Sequence, residues 1–132
     1  LAARLAAEHI TDAEVADLEA IIDEMATATS ARYLELNGVL HDTIYRIAAR
    51  PRLFEILSRL RTTSANYAKL TVGSNGQSDP RYRADVHRQH EEIVAALKSR
   101  DGDLCAEIVR EHLQTTLDHL GVLVDAAHEE AR

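Results

Sequence analysis

Five glycines and two prolines are all that punctuate this chain of 132 residues. Sandwiches and barrels turn at nearly every strand end and draw on those residues to do it, so the scarcity excludes an all-β fold. The length suits one domain with its own hydrophobic core, and 45% hydrophobic with 28% charged residues is ordinary for a globular chain. No apolar run approaches the roughly 18 residues of a membrane span, and no secretory signal opens the sequence. The single cysteine, Cys105, has no internal disulfide partner. These features predict a cytoplasmic, all-α domain over residues 1–132.

Charge narrows the partners. Fifteen Lys and Arg against 22 Asp and Glu leave a net charge of −7. Nucleic-acid binding depends on neutralising phosphates, so any DNA contact must come from another part of the polypeptide. Aromatic content is 4% with no tryptophan, which removes stacking platforms for single strands.

Six helical pieces can be read along the chain. The stretch Leu1 to His9 is helical from its first residue with no capping signal, as in a chain entered in mid-helix and forming part of something longer. Thr11 and Glu14 have the spacing of a capping box. The second helix then carries Val15, Leu18, Ile21, Ile22 and Met25 on one face. A short connection at residues 27–30 leads to a third helix from about Ser30 to Ala49, ended by Arg50-Pro51. Pro51 suits the first turn of a fourth helix, whose stripe holds Leu53, Ile56, Leu57, Leu60, Ser64, Tyr67 and Thr71. The stretch from Gly73 to Pro80 is the one obvious loop. Asp79-Pro80 starts a fifth helix reaching about Ser99, and Asp101 caps a long sixth. The reading is an antiparallel bundle of about six helices.

Seven histidines is a high count for this length. Helical residues advance about 100° per position, so phase sorts them. Asn37 and His41 lie one turn apart in the stripe of Tyr33, Leu34, Leu40, Ile44, Ile47 and Ala48. His90 is central to the stripe of Val86, Ile93, Val94 and Leu97. His112 is central to that of Cys105, Ile108, Val109, Thr116, His119 and Leu123. His9, His87 and His128 lie near stripe edges or chain ends and read as solvated. Three helices thus aim imidazoles at the core. Either each imidazole has a separate hydrogen-bond partner, or a shared metal satisfies all of them. Histidines with one oxygen donor suit zinc, nickel, cobalt, manganese or iron.

Other chemistry is not supported. The Glu-x-x-His pairs of di-iron bundles, phosphate loops, His-Glu-x-x-His and Gly-x-Ser-x-Gly are all missing. Cys105 reads as a small buried thiol. His87 and His90 have zinc-like spacing, but His87 falls about 60° off the stripe centre, at a rim. On the fourth helix the stripe turns polar at Ser64, Tyr67 and Thr71, with Arg61 on its edge. That pattern suits either a small-anion pocket with Arg61 as carboxylate clamp, or a wet helix end. Arg81, Arg83 and Arg100 read as solvated surface charges.

The segments Asn37-Gly-Val-Leu-His41 and Ala49-Arg-Pro-Arg-Leu53 resemble the Asp/Asn-x-x-Phe-His motif and the following Asn-Pro turn of the FCD domain. This is the C-terminal effector domain of FadR/VanR-type regulators in the GntR family. His90-Glu-Glu-Ile93, with the following Ala96-Leu-Lys-Ser-Arg-Asp101, resembles that family's Glu-His-x-x-Ile and Ala-Ile-x-x-Arg-Asp signature. His112-Leu113, 11 residues beyond Asp101, matches the closing His-Leu. The first helix and the Ile10-Thr-Asp turn match as well, so the likeness covers nearly the whole chain.

The resemblance implies a bundle with a divalent metal beside a pocket for a small organic acid. Asn37, His41, His90 and His112 fall on the ligand positions, with zinc or nickel favoured and manganese a further option. Arg61, Ser64 and Tyr67 are the candidate effector contacts. A homodimer is implied, with DNA bound through a preceding winged-helix domain. Asn37 stands where Asp is common, Leu40 where Phe is, and Gln89 where Glu is. An arginine that many members carry early in the first helix would precede Leu1. The favoured function is a ligand-sensing regulatory domain. The alternatives are a metal-free or structurally metallated dimerisation module and, last, a metal-dependent hydrolase, for which Asp42 and Glu91 point away from the stripes.

Overall fold

The computed structural model describes residues 1–71 and 79–132, apart from the side chains of residues 67–71 and 127. It contains α1 (Ala2–His9), α2 (Asp12–Thr27), α3 (Ser30–Ile47), α4 (Pro51–Thr71), α5 (Pro80–Lys98) and α6 (Gly102–Glu130), with no strand among the described residues. No described helix is long and apolar enough to cross a membrane. The turn-rich stretch after Thr71 lies outside the described residues up to residue 78.

Local chemistry sets the helix starts. The Thr11 hydroxyl accepts from the Glu14 amide at 3.2 Å, and the Glu14 carboxylate accepts from the Thr11 amide at 2.8 Å, completing the capping box. Asp79 accepts from the Arg81 amide at 2.9 Å with Pro80 in the first turn, and Asp101 accepts from the Leu104 amide at 3.0 Å. Thr29 caps α3 by accepting from the Arg32 amide at 3.3 Å. That cap hides in the short connection before α3, which the sequence marks only as a break.

The core joins α1, α2, α3, α5 and α6. Ala3, Ala6 and Ala7 of α1, Leu18 and Met25 of α2, Leu36 and Leu40 of α3, Ile93 and Leu97 of α5 and Cys105 of α6 are all buried in it. Small alanines let α1 lie close. A Cβ added at Gly102 would sit 3.2 Å from the Arg4 Cα, so α6 begins almost in contact with the α1 backbone. Arg100 stitches the same end together, donating to the Ile10 carbonyl at 3.2 Å and to Asp12 at 3.0 Å. It is therefore pinned, where the sequence suggests a freely solvated charge.

Two stripes shift from expectation. On α3 Leu34 is exposed and Leu36 is buried instead. Among the described residues α4 packs mainly on α3 and α6, and Leu53 and Leu57 are half-buried while Ile56 and Leu60 stay 56% and 61% exposed. Leu113, Leu117 and Val122 of α6 are exposed too. Phase locates an apolar face; it carries no information on whether a neighbour covers it.

Candidate metal centre

α3, α5 and α6 each deliver one imidazole to a common point. Ring centroids lie 5.2 Å apart for His41 and His90, 5.2 Å for His41 and His112, and 4.7 Å for His90 and His112. One ring nitrogen from each lies within 4.8 Å of the others, the one such group of His, Cys, Asp and Glu among the described residues. His90 and His112 are buried, and His41 keeps slight exposure over the whole residue although its ring is desolvated. Asn37, half-buried, sits one turn before His41 on α3.

The electrostatics favour neutral rings with available lone pairs. Burial first, then the His112 and Arg61 charges, hold His41 down to about 3, and burial holds His112 down to about 4. His90 is pushed lower still by burial first, then by His41, His112 and His87. Both of its nitrogens are buried with no hydrogen-bond partner, although a buried polar atom ordinarily has one. Three converging neutral imidazoles with an orphaned member match the donor set of a borderline divalent ion such as zinc or nickel, which would take one lone pair from each ring and so partner one of the two bare His90 nitrogens.

The flanking residues divide. His112 Nδ1 lies 3.1 Å from Gln89 Oε1, and Gln89 Nε2 donates to the Thr115 hydroxyl at 2.9 Å. Gln89 is fully buried, a role hidden in the sequence because an isolated glutamine carries no chemical signal. Arg61 lies near enough to lower the basicity of His41, but it is held by Asp42. Ser64 is exposed and its hydroxyl donates to the Leu60 carbonyl at 3.0 Å. That places Ser64 on the exposed side of α4. The Tyr67 side chain lies outside the described residues, as does that of Thr71.

A second polar group lies one turn further toward the starts of α3 and α5. Arg83 stacks 4.5 Å above the Tyr33 ring and donates to the Ala28 carbonyl at 2.7 Å, so it is no simple solvated charge. Tyr33 Oη and His87 Nδ1 are buried without partners, and burial lifts the Tyr33 phenol to about 12. His87 is thus half-buried where the sequence suggests a solvated rim. With Met25, Ala26 and Ala84 these residues line a groove of about 290 Å³. His119, expected in the α6 core stripe, instead stacks on Tyr82 with centroids 3.7 Å apart and is only half-buried. His9 and His128 are exposed as expected, and Cys105 is buried with its thiol raised to about 11 by that burial.

Comparison with known proteins follows the same lines. The chain is similar to the solved structure of E. coli McbR/YncC, with a TM-score of 0.76 and 19% identity over 95% of this chain. It spans 61% of that protein's chain. No curated protein matches it. The profile of the FCD domain matches residues 1–115, a span that holds all six helix starts and the three converging histidines, and the chain therefore belongs to the FCD domain family.

Proposed function

We propose that this chain is the ligand-sensing domain of a GntR-type transcription regulator, binding a divalent transition metal and a small organic acid. The observation that carries the reading is the meeting of His41, His90 and His112 with His90 unpartnered at both nitrogens. His41, His90 and His112, with Asn37 as oxygen donor, would hold the ion, zinc or nickel before manganese. The ion would supply a Lewis-acidic position for a carboxylate.

Charge favours an anionic effector. Asn37 and Gln89 are amides, and Asp42, the carboxylate next to His41 in the chain, is paired with Arg61. A divalent ion held here keeps its double charge, so a carboxylate is the natural completing ligand. Two arginines compete for its far end: Arg61, which must release Asp42 to act beside Ser64 and Tyr67, and Arg83, which stands with the unpartnered Tyr33 and His87. The sensed state would pass to a winged-helix DNA-binding domain outside these residues, in a cytoplasmic homodimer. Among the described residues no carboxylate joins the three histidines as a general base, and the domain is read as a non-enzyme.

The test is metal content of protein purified without chelators, beside the double variant His41→Ala/His90→Ala. About one transition metal per chain, lost in the variant, supports the reading. Calorimetry with small carboxylates, metal present and then stripped, then separates a sensor from a dimerisation module. A module loses thermal stability on chelation yet answers to no acid. Affinity lost in Arg61→Ala or in Arg83→Ala identifies the clamp.

A further inference from the structure

We propose that Gln89 is the positioning residue that selects the tautomer of His112. Gln89 is 2% exposed and sits on α5 directly before His90, yet its amide reaches across to α6. Its Nε2 donates to Thr115 Oγ1 at 2.9 Å, and its Oε1 lies 3.1 Å from His112 Nδ1. With the amide nitrogen turned to Thr115, only the amide oxygen faces the imidazole, and an oxygen there can only accept. His112 must then carry its proton on Nδ1 and present Nε2 as a bare lone pair.

The consequence concerns the whole cluster. With Nε2 unprotonated, His112 offers an acceptor or ligand atom toward His41 and His90. With the amide flipped, Nδ1 would accept from it and the Nε2 proton would point at the other rings and bar a metal. The Thr115 hydroxyl accepts in the first arrangement and would donate in the second. The hydroxyl accommodates either arrangement, so it is the observed turn of the amide nitrogen toward Thr115 that assigns the tautomer. A glutamate at this position has no donor and could select only the first arrangement, so the neutral amide does by orientation what a carboxylate does by charge. Residues holding the far nitrogen of a ligating histidine set both ring orientation and ligand strength.

The test has one arm independent of metal. Long-range proton–nitrogen correlation on metal-free protein labelled in histidine, with His112 assigned by its loss in His112→Gln, reads the tautomer directly. We expect Nδ1–H in the wild type and in Gln89→Glu, and a shift toward Nε2–H in Gln89→Leu and in the milder Thr115→Val. The second arm rests on the metal reading above: zinc competition against a chromophoric chelator. There, Gln89→Leu should bind roughly 10–100-fold more weakly, and Gln89→Glu at least as tightly as wild type. Nε2–H in the wild type, or an unchanged tautomer in both Gln89→Leu and Thr115→Val, overturns the assignment. Wild-type protein that binds neither zinc nor nickel overturns the metal reading instead, and the tautomer result still decides the role of Gln89.

Discussion

Arg61 grips Asp42 with two nitrogens, Nε at 3.2 Å and Nη2 at 2.9 Å, and Ser58 donates to the same carboxylate at 3.0 Å. The pair is the main polar tie between α3 and the loosely attached α4, and both side chains are half-buried. Asp42→Ala should cost about 1–2 kcal/mol, because it leaves a half-buried guanidinium and a hydroxyl without their acceptor. Urea denaturation measures this, and a variant within about 0.3 kcal/mol of wild type would show the tie to be ornamental.

Two glycines should answer alanine differently. At Gly102 the added Cβ meets the Arg4 Cα at 3.2 Å and the Arg4 carbonyl at 3.5 Å, both backbone atoms that cannot step aside. Gly102→Ala should destabilise by about 1–2 kcal/mol. At Gly38 the new methyl meets only the Arg61 guanidinium tip at 3.1 Å, a side-chain end that can give by a few tenths of an ångström while keeping its Nε and Nη2 bonds to Asp42. There the helix-propensity gain of about 1 kcal/mol should offset most of the disturbance. Thermal midpoints of the two variants on opposite sides of this order would refute the backbone argument.

Left-handed backbone at non-glycine positions predicts a contrast of another kind. Ala49 has φ 54° and Arg100 has φ 56°. Ala49 is exposed at the end of α3, so Ala49→Gly should stabilise by about 1 kcal/mol. Arg100→Gly gains the same relief but loses the bonds to Ile10 and Asp12, and should be neutral or worse. Equal stabilisation by both variants would mean that the Arg100 bonds contribute nothing.

Metal-free protein should weaken in mild acid. Free imidazoles titrate near about 6.5, whereas burial holds His41 down to about 3 and His112 to about 4 in the folded state. Below about pH 6.5 the unfolded chain binds protons that the native chain refuses, so stability falls as pH drops toward the folded values. The denaturation midpoint should decline between pH 7 and 5, above the main carboxylate range, and His41→Gln should flatten part of that slope. A midpoint constant over that interval would show that the rings are not desolvated.

Much of this molecule was legible without coordinates because it depends on short-range physics. Caps at Thr11, Asp79 and Asp101 act within three residues of themselves, and proline and glycine positions bound the helices. The phase of Asn37, His41, His90 and His112 on their own helices follows from 3.6 residues per turn. The four residues could therefore be picked out as inward-facing, and the order of short motifs pointed to the same family and the same positions.

What no single helix carries is the identity of its neighbour, and there tertiary packing decided. Phase put Leu34, Ile56 and Leu60 on apolar stripes, but among the described residues no neighbour covers them and all three stay exposed. Arg61 has the position of a ligand clamp on its own helix, and only the packing of α3 against α4 puts Asp42 within its grip. His90, His112 and Gln89 meet because α5 and α6 pack at one register, so a glutamine notable in the sequence only as a stand-in for Glu comes to hold a histidine 23 positions away. By itself the sequence determined which side chains turn inward, through local helical periodicity. Whether three of them meet, and what holds each in place, was settled only by the long-range packing of α3, α5 and α6.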